Sequence, residues 1–168
     1  IEAYNVAQNT LGNCYLTLGD LSRAASTFLA CDAAHGNSIT QARTSLVMNL
    51  AVVAHYRGRS TQAHNLVAKA ISIEQSALPR PARMAMAFAR TSWMWCCQGD
   101  AEQAEEALDR AQAIAESAQL LAWQRICAAQ HGKILLLRGQ AHQAESVLAR
   151  SEAACRNITD PWDVLDIS

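Results

Sequence analysis

The stretch Leu11-Gly12-Asn13-Cys14-Tyr15-Leu16-Thr17-Leu18-Gly19-Asp20, running on through Ala24, Phe28 and Cys31, decides the fold. Its small and apolar residues recur at steps of three, four and seven, the spacing of one face of an α-helix rather than the alternation of a strand. Gly19 interrupts the pattern. Glycine adopts the left-handed backbone that ends a helix at far less cost than any residue with a Cβ. Asp20 follows with a short side-chain oxygen able to accept from the orphan N–H groups of a second helix. The stretch reads as helix, reversal, helix.

The same device returns three times. Gly19, Gly58, Gly99 and Gly139 stand 39, 41 and 40 residues apart. Five residues after each comes an alanine (Ala24, Ala63, Ala104, Ala144), and nine after comes a large apolar group (Phe28, Val67, Leu108, Leu148). Twelve after lies a small residue (Cys31, Ala70, Ala111, Ser151), and seven before lies another (Gly12, Ala51, Ser92, Gly132). The small residues let the two helices of a hairpin approach closely, and the bulky residue is expected to fill the space between units. Asp20, Ser60 and Asp100 are the expected caps of the second helices.

This periodicity predicts helices over 2–18, 21–34, 39–57, 60–76, 80–98, 101–117, 120–138 and 141–156. The repeat units run over about 1–37, 38–78, 79–118 and 119–157, with 158–168 opening a further helix at Pro161 and Trp162. A single hairpin cannot bury its own apolar faces, so stacking is obligatory. The expected fold is all-α: a right-handed α-α superhelix of four antiparallel hairpins plus the start of a fifth, one solenoid over 1–168. A helical pattern already running at Ile1, and another opening before Ser168, lead us to expect a piece of a longer array.

Composition sets further bounds. At 51% apolar residues the chain can bury a core, and seven glycines with three prolines in 168 residues leave little material for a strand-and-turn architecture. Fourteen basic against fifteen acidic residues leave no footprint for sequence-independent phosphate binding, so direct nucleic-acid contact from this segment is not expected. Neighbouring units alternate in the sign of their net charge, which favours register between stacked hairpins. The six cysteines (Cys14, Cys31, Cys96, Cys97, Cys127, Cys155) sit inside helical patterns without a zinc spacing. They read as packing thiols of a reducing, cytoplasmic environment, with no metal bound. No apolar run reaches the length of a membrane span.

No catalytic constellation emerges, and neither an enzyme nor a cofactor is expected. The histidines (His35, His55, His64, His131, His142) form no HExxH, and the glycines are helix terminators rather than a phosphate loop. His131 stands at a leucine position of the repeat and is expected in the core. Glu102, Glu105, Glu106 and Asp109 share a spacing that places them on a solvated outer face.

The residues from Leu11 to Cys31 resemble a tetratricopeptide (TPR) repeat, whose pattern has Leu-Gly, Tyr, Gly-Asp, Ala, Phe and Ala at those places. The later units depart from it: Ala54 and Leu135 stand for the tyrosine, and Thr91 and His131 for the leucine. The long period, with Gly19-Asp20-Leu21-Ser22-Arg23-Ala24-Ala25 and Gly99-Asp100-Ala101-Glu102-Gln103-Ala104-Glu105, is similar to the regulatory TPR region of LuxR-type ATP-dependent bacterial transcription activators resembling the maltose regulator.

The TPR resemblance implies that the first helix of each unit lines a concave groove through positions two, three, six and ten before the glycine. In the first two units these are Asn9, Asn13, Leu16 and Thr17, then Met48, Val52, His55 and Tyr56. The third and fourth give Ala89, Trp93, Cys96 and Cys97, then Ala129, Lys133, Leu136 and Leu137. Asn9, Asn13, Met48, Val52, His55, Tyr56, Trp93, Cys97, Lys133, Leu136 and Leu137 are thus the candidate ligand- or partner-binding residues. Trp93 either lines the groove or fills the throat of a tightly closed superhelix, Trp95 is a packing residue, and Trp123 sits on the rim or between units. Of the carboxylate clamp used by chaperone-binding TPR domains only Asn13 is present, so that mode is not expected.

An apolar, clamp-free groove suits an amphipathic helix or an uncharged small molecule. The resemblance implies a sensor module of a larger activator, with an effector molecule or regulatory protein in the groove and other domains of the same polypeptide as partners. The alternative is an interaction scaffold that holds a partner helix or peptide without small-molecule sensing.

Overall fold

The computed structural model describes residues 2–35, 41–76 and 80–156, all but the turns in helix. Eight helices follow in order: α1 (Glu2–Thr17), α2 (Leu21–His35), α3 (Gln41–Tyr56), α4 (Ser60–Ser76), α5 (Pro81–Cys97), α6 (Ala101–Ser117), α7 (Leu121–Leu137) and α8 (Ala141–Arg156). Each lies within two residues of its expected span, and no strand occurs among the described residues. The further helix expected from Pro161 and Trp162 lies outside the described residues.

Every hairpin turns at its glycine. Gly19, Gly58, Gly99 and Gly139 have φ between +71° and +79°. In each turn the glycine N–H bonds the carbonyl three residues back and the next N–H bonds the carbonyl five back. Gly19 to Leu16 (3.0 Å) and Asp20 to Tyr15 (2.9 Å) repeat as Gly139 to Leu136 (3.0 Å) and Gln140 to Leu135 (2.9 Å). This pairing satisfies the last carbonyls of the first helix. A fifth turn of the same kind joins α6 to α7, where Gln119, at φ +55°, donates to Glu116 and Leu120 donates to Ala115.

Asp20 and Asp100 cap their helices as expected, accepting the N–H of Arg23 (2.9 Å) and Gln103 (3.0 Å). Ser60 does not. Helix α4 begins at Ser60 itself, and Ala63 N–H bonds the Arg59 carbonyl, the place that Asp20 and Asp100 hold in their own turns.

The chain divides into two compact units, residues 1–80 and 81–168. In the first, Ala24, Phe28 and Cys31 of α2 pack with Leu46, Leu50 and Val53 of α3, and Tyr15 and Leu16 of α1 close over them. Asp32 of α2 pairs with Arg43 of α3 at 2.8 Å and with Lys69 of α4 at 3.8 Å. In the second, Ala104, Leu108, Ala111 and Ala115 of α6 meet Trp123, Cys127 and Ile134 of α7, with Ala85 and Ala89 of α5. Trp123 is therefore a core residue, and Trp95 packs against the same core.

The small residue seven before the glycine has the expected purpose, and the bulky residue nine after it has a second one besides the expected. A Cβ on Gly12 would stand 2.7 Å from Cδ1 and Cζ of Phe28, and a Cβ on Gly132 would stand 2.7 Å from Cγ and Cδ2 of Leu148. The bulky side chain thus fits into the gap left by the small residue of its own hairpin, while Phe28 and Leu108 also pack against the first helix of the next repeat, as expected.

Candidate functional site

The expected groove residues fall into two sets, one in each unit. In the first unit Asn9 is tied to the neighbouring helix, its Oδ1 accepting from Asn49 Nδ2 at 3.0 Å, and Asn13 is half-buried. Met48 is 0% exposed and offers no surface, a correction to its place among the binding residues: its position on α3 turns it inward. Val52 and His55 are half-buried, while Tyr56 projects outward with its ring edge-on to His55 at a centroid distance of 6.0 Å. Burial, with the His64 imidazole adding to it, holds His55 below the ordinary histidine range.

In the second unit Trp93 is half-buried and Cys97 is exposed at the end of α5. On α7 Lys133 is exposed, beside Leu136 and Leu137 at 53% and 45% exposure. Ala89, another groove position, lies in the core instead. His131 reverses its expectation: it is exposed.

That exposure leads to a concavity of the second unit, a groove of about 610 Å³ bounded by α6, α7 and α8. Its floor is apolar, with Leu108 of α6, Cys127 and Ala128 of α7 and Val147 of α8. Its walls are polar. Glu105, Asp109 and Gln112 stand on α6, Gln124, Arg125 and His131 on α7, and Arg150 and Ser151 on α8. None of the eleven expected binding residues lines it. The lining residues come from second helices, α6 and α8, which read from sequence as outer surface, and from a face of α7 other than its expected groove positions. The available signal was His131, a polar residue at an apolar place, four residues after Cys127 and therefore on one face with it.

Several of these polar groups are already engaged. Glu105 takes a bidentate pair from Arg138 at the end of α7, at 2.9 and 2.5 Å, and that guanidinium holds its carboxyl below the usual range. Gln124 Nε2 donates to the Ala115 carbonyl at 3.1 Å, Gln112 Nε2 donates to Glu116 at 2.5 Å, and Ser151 Oγ donates to the Arg125 carbonyl. Arg125 differs: its Nη1 is shut off from solvent and meets no acceptor. Burial pushes the Cys127 thiol up to about 11, so at neutral pH the floor is uncharged. Among the described residues no group of histidine, cysteine and carboxylate side chains is placed to hold a metal ion, and no helix is long and apolar enough to cross a membrane. This arrangement can bind. It contains no nucleophile paired with a base.

Neither a protein-family model nor a curated protein matches the chain. Solved structures do. The chain is similar to BtubC (BKLC) from P. vanneervenii, with a TM-score of 0.74 and 19% identity over 93% of this chain and 66% of that one. It is also similar to a putative kinesin light chain from Podosopora anserina with nearly identical TPR-like repeats. There the TM-score is 0.65 and the identity 17%, over 95% of this chain and 80% of that one. The fold is a TPR-like helical repeat. At these identities the likeness concerns the fold alone, and the chain spans just under two thirds of the length of BtubC.

Proposed function

We propose that this chain is a protein-binding module, holding a segment of a partner on its helical repeats without catalysing a reaction. The observation that carries this reading is the α6–α8 groove: about 610 Å³, apolar along its floor and polar along both walls. Recognition sites for helices and peptides share that build, with burial of apolar side chains supplying affinity and polar walls fixing orientation. The two hairpins of the second unit, α5 to α8, supply the frame for it. The described cysteines are free thiols, which suits work inside the cell.

The test places a photo-crosslinking residue at Leu121, a groove position more than half exposed. A partner captured there should be lost when Val147 in the groove becomes Arg, and retained when Tyr56, in the other unit, becomes Ala. Capture that is indifferent to Val147 removes the groove from the reading.

A second reading is the sensor role in a larger bacterial transcription activator, with an effector in place of the partner. The same volume lies within the range of small-molecule sites, roughly 300–1,000 Å³. Trp123 of α7 stands in the core with Leu108 and Cys127 of the groove floor, so titration with candidate metabolites while following tryptophan fluorescence separates the two. A saturable change supports sensing, and a flat response leaves the scaffold.

A further inference from the structure

We infer that the α6–α8 groove selects an acidic partner segment, one with an apolar face and a carboxylate side chain that seats between Arg125 and Arg150. The inference rests on the protein-binding reading above and adds the chemistry of the occupant.

The groove is lined by two carboxylates and two guanidiniums, equal in number, but their partners leave them out of balance. On the α6 wall Glu105 is taken up by Arg138, and Arg110, next to Asp109, is taken up by Glu106 at 2.9 Å. Asp109 is left as the single uncommitted carboxylate lining the groove. Across from it stand two guanidiniums, Arg125 on α7 and Arg150 on α8, neither with a carboxylate in ion-pair range among the described residues. Arg150 makes one long bond, 3.3 Å, to the Ser146 carbonyl of its own helix. Arg125 Nη1 makes none and is closed to solvent.

Nη1 is closed to a ligand as it is to water, but Arg125 is only half-buried and its charge has no carboxylate to meet, so an incoming acid supplies the opposite charge to the accessible part of the guanidinium and to Arg150. The guanidinium fork matches a carboxylate in two parallel bonds. Gln112 and Gln124 each give one amide N–H to Glu116 and Ala115 and keep one, so they add neutral donors beside the two guanidiniums rather than a competing charge. Beneath, Leu108 and Val147 offer an apolar floor, and Leu121, more than half exposed, forms the rim. Apolar side chains flanking the acid cover these residues. The α6 wall, with Asp109, turns away a segment that is acidic on both edges.

The experiment uses the whole chain and three fluorescein-labelled amphipathic peptides of about 14 residues that share one apolar face. They carry four Glu, four Gln or four Lys on one flanking edge. Anisotropy should show the Glu peptide binding at least tenfold more tightly than the Gln peptide, with the gap narrowing as salt rises. The double variant Arg125→Gln, Arg150→Gln should bring the Glu peptide down to the Gln level while its circular dichroism stays unchanged. Arg110→Gln, whose partner lies outside the groove, should leave all three affinities as they were. Equal binding of the Glu and Lys peptides overturns the inference while leaving a peptide groove in place. Tighter binding of the Lys peptide assigns the groove to Asp109 and overturns it outright. Binding by none of the three removes the inference and the protein-binding reading together.

Discussion

Replacing Gly12 with Ala should destabilise the first unit, although the same substitution in an open helix would stabilise it. Gly12 lies inside α1, where exchanging glycine for alanine gains about 0.8–1 kcal/mol of helix propensity. The added methyl, however, would stand 2.7 Å from two carbons of the Phe28 ring and nearer still to a third. Ordinary contact begins near 3.4 Å, so the ring must move by most of an ångström. It has nowhere to go: Phe28 is 0% exposed and wedged against Leu46, Leu50 and Val53. Forcing volume into a packed core costs about 1–3 kcal/mol. The balance is a loss of about 0.5–2 kcal/mol, a fall of roughly 2–6 °C in melting temperature for a chain of this length. The matched control is Gly132→Ala. Its methyl also meets its partner at 2.7 Å, but that partner, Leu148, is 37% exposed and can rotate outward. Propensity should win there, leaving the variant neutral or stabilised by up to about 1 kcal/mol. Thermal and urea unfolding followed by circular dichroism measure both. A Gly12→Ala protein as stable as the wild type would refute the claim that Phe28 is locked in place. A second check is Phe28→Leu in the Gly12→Ala background, which should restore part of the loss.

Three further outcomes are open to the same measurements. Gln119→Gly should stabilise the second unit by about 0.5–1 kcal/mol, because a side chain at φ +55° carries strain that glycine lacks, less the extra freedom glycine has when unfolded; a destabilised variant would show that the Gln119 side chain holds the turn. Asp100→Ala should cost about 1 kcal/mol through loss of the bond to Gln103 N–H, while Ser60→Ala should cost a few tenths at most, since Arg59 occupies the cap position; equal losses would contradict that assignment. Arg138→Gln should remove a pH-dependent contribution: Glu105 is held below its ordinary value of 4.5 in the folded state, so the pair stabilises above that value and its contribution disappears as pH falls through the lower, folded one. Both side chains are about one-third exposed and solvent screens them, so the difference at pH 7 is small and shrinks in high salt; a urea midpoint difference between wild type and variant that persists at pH 2 would be inconsistent with it.

Helix boundaries were legible from the sequence because the four glycine turns and two of their aspartate caps are local devices, written in adjacent residues. The close approach at Gly12 and Gly132 was legible for the same reason, as a size constraint recurring at a fixed offset. What filled those gaps was not, since Phe28 and Leu148 meet their glycines across a hairpin, and that Phe28 serves its own hairpin as well as the neighbouring one is a packing outcome. Met48 and Ala89 were placed on a surface because a family's groove positions were laid onto a chain with a longer period. Both stand ten residues before their glycine, a position that the assembled helices bury in the second and third repeats and leave half-exposed at Asn9 and Ala129. The α6–α8 groove escaped because it is bounded by three helices of two successive hairpins, each presenting residues that singly look like solvated surface. Arg125 carries no local mark, since the lack of an acceptor for its Nη1 exists only once α6, α7 and α8 are assembled.

The left-handed Gln119 has a consequence for how such a chain can grow. The turn between hairpins repeats the hydrogen bonds of the turn within them, so α6 and α7 form a unit of the same construction as α5 and α6. The reading frame of the repeat is therefore not unique. A tandem duplication of 101–140 would join Gln140 to Ala101 at a junction the chain already makes in near-identical form, Asp100 to Ala101. Insertion of that helix pair would leave the described turns at its two ends and at its middle with the same hydrogen bonds as before.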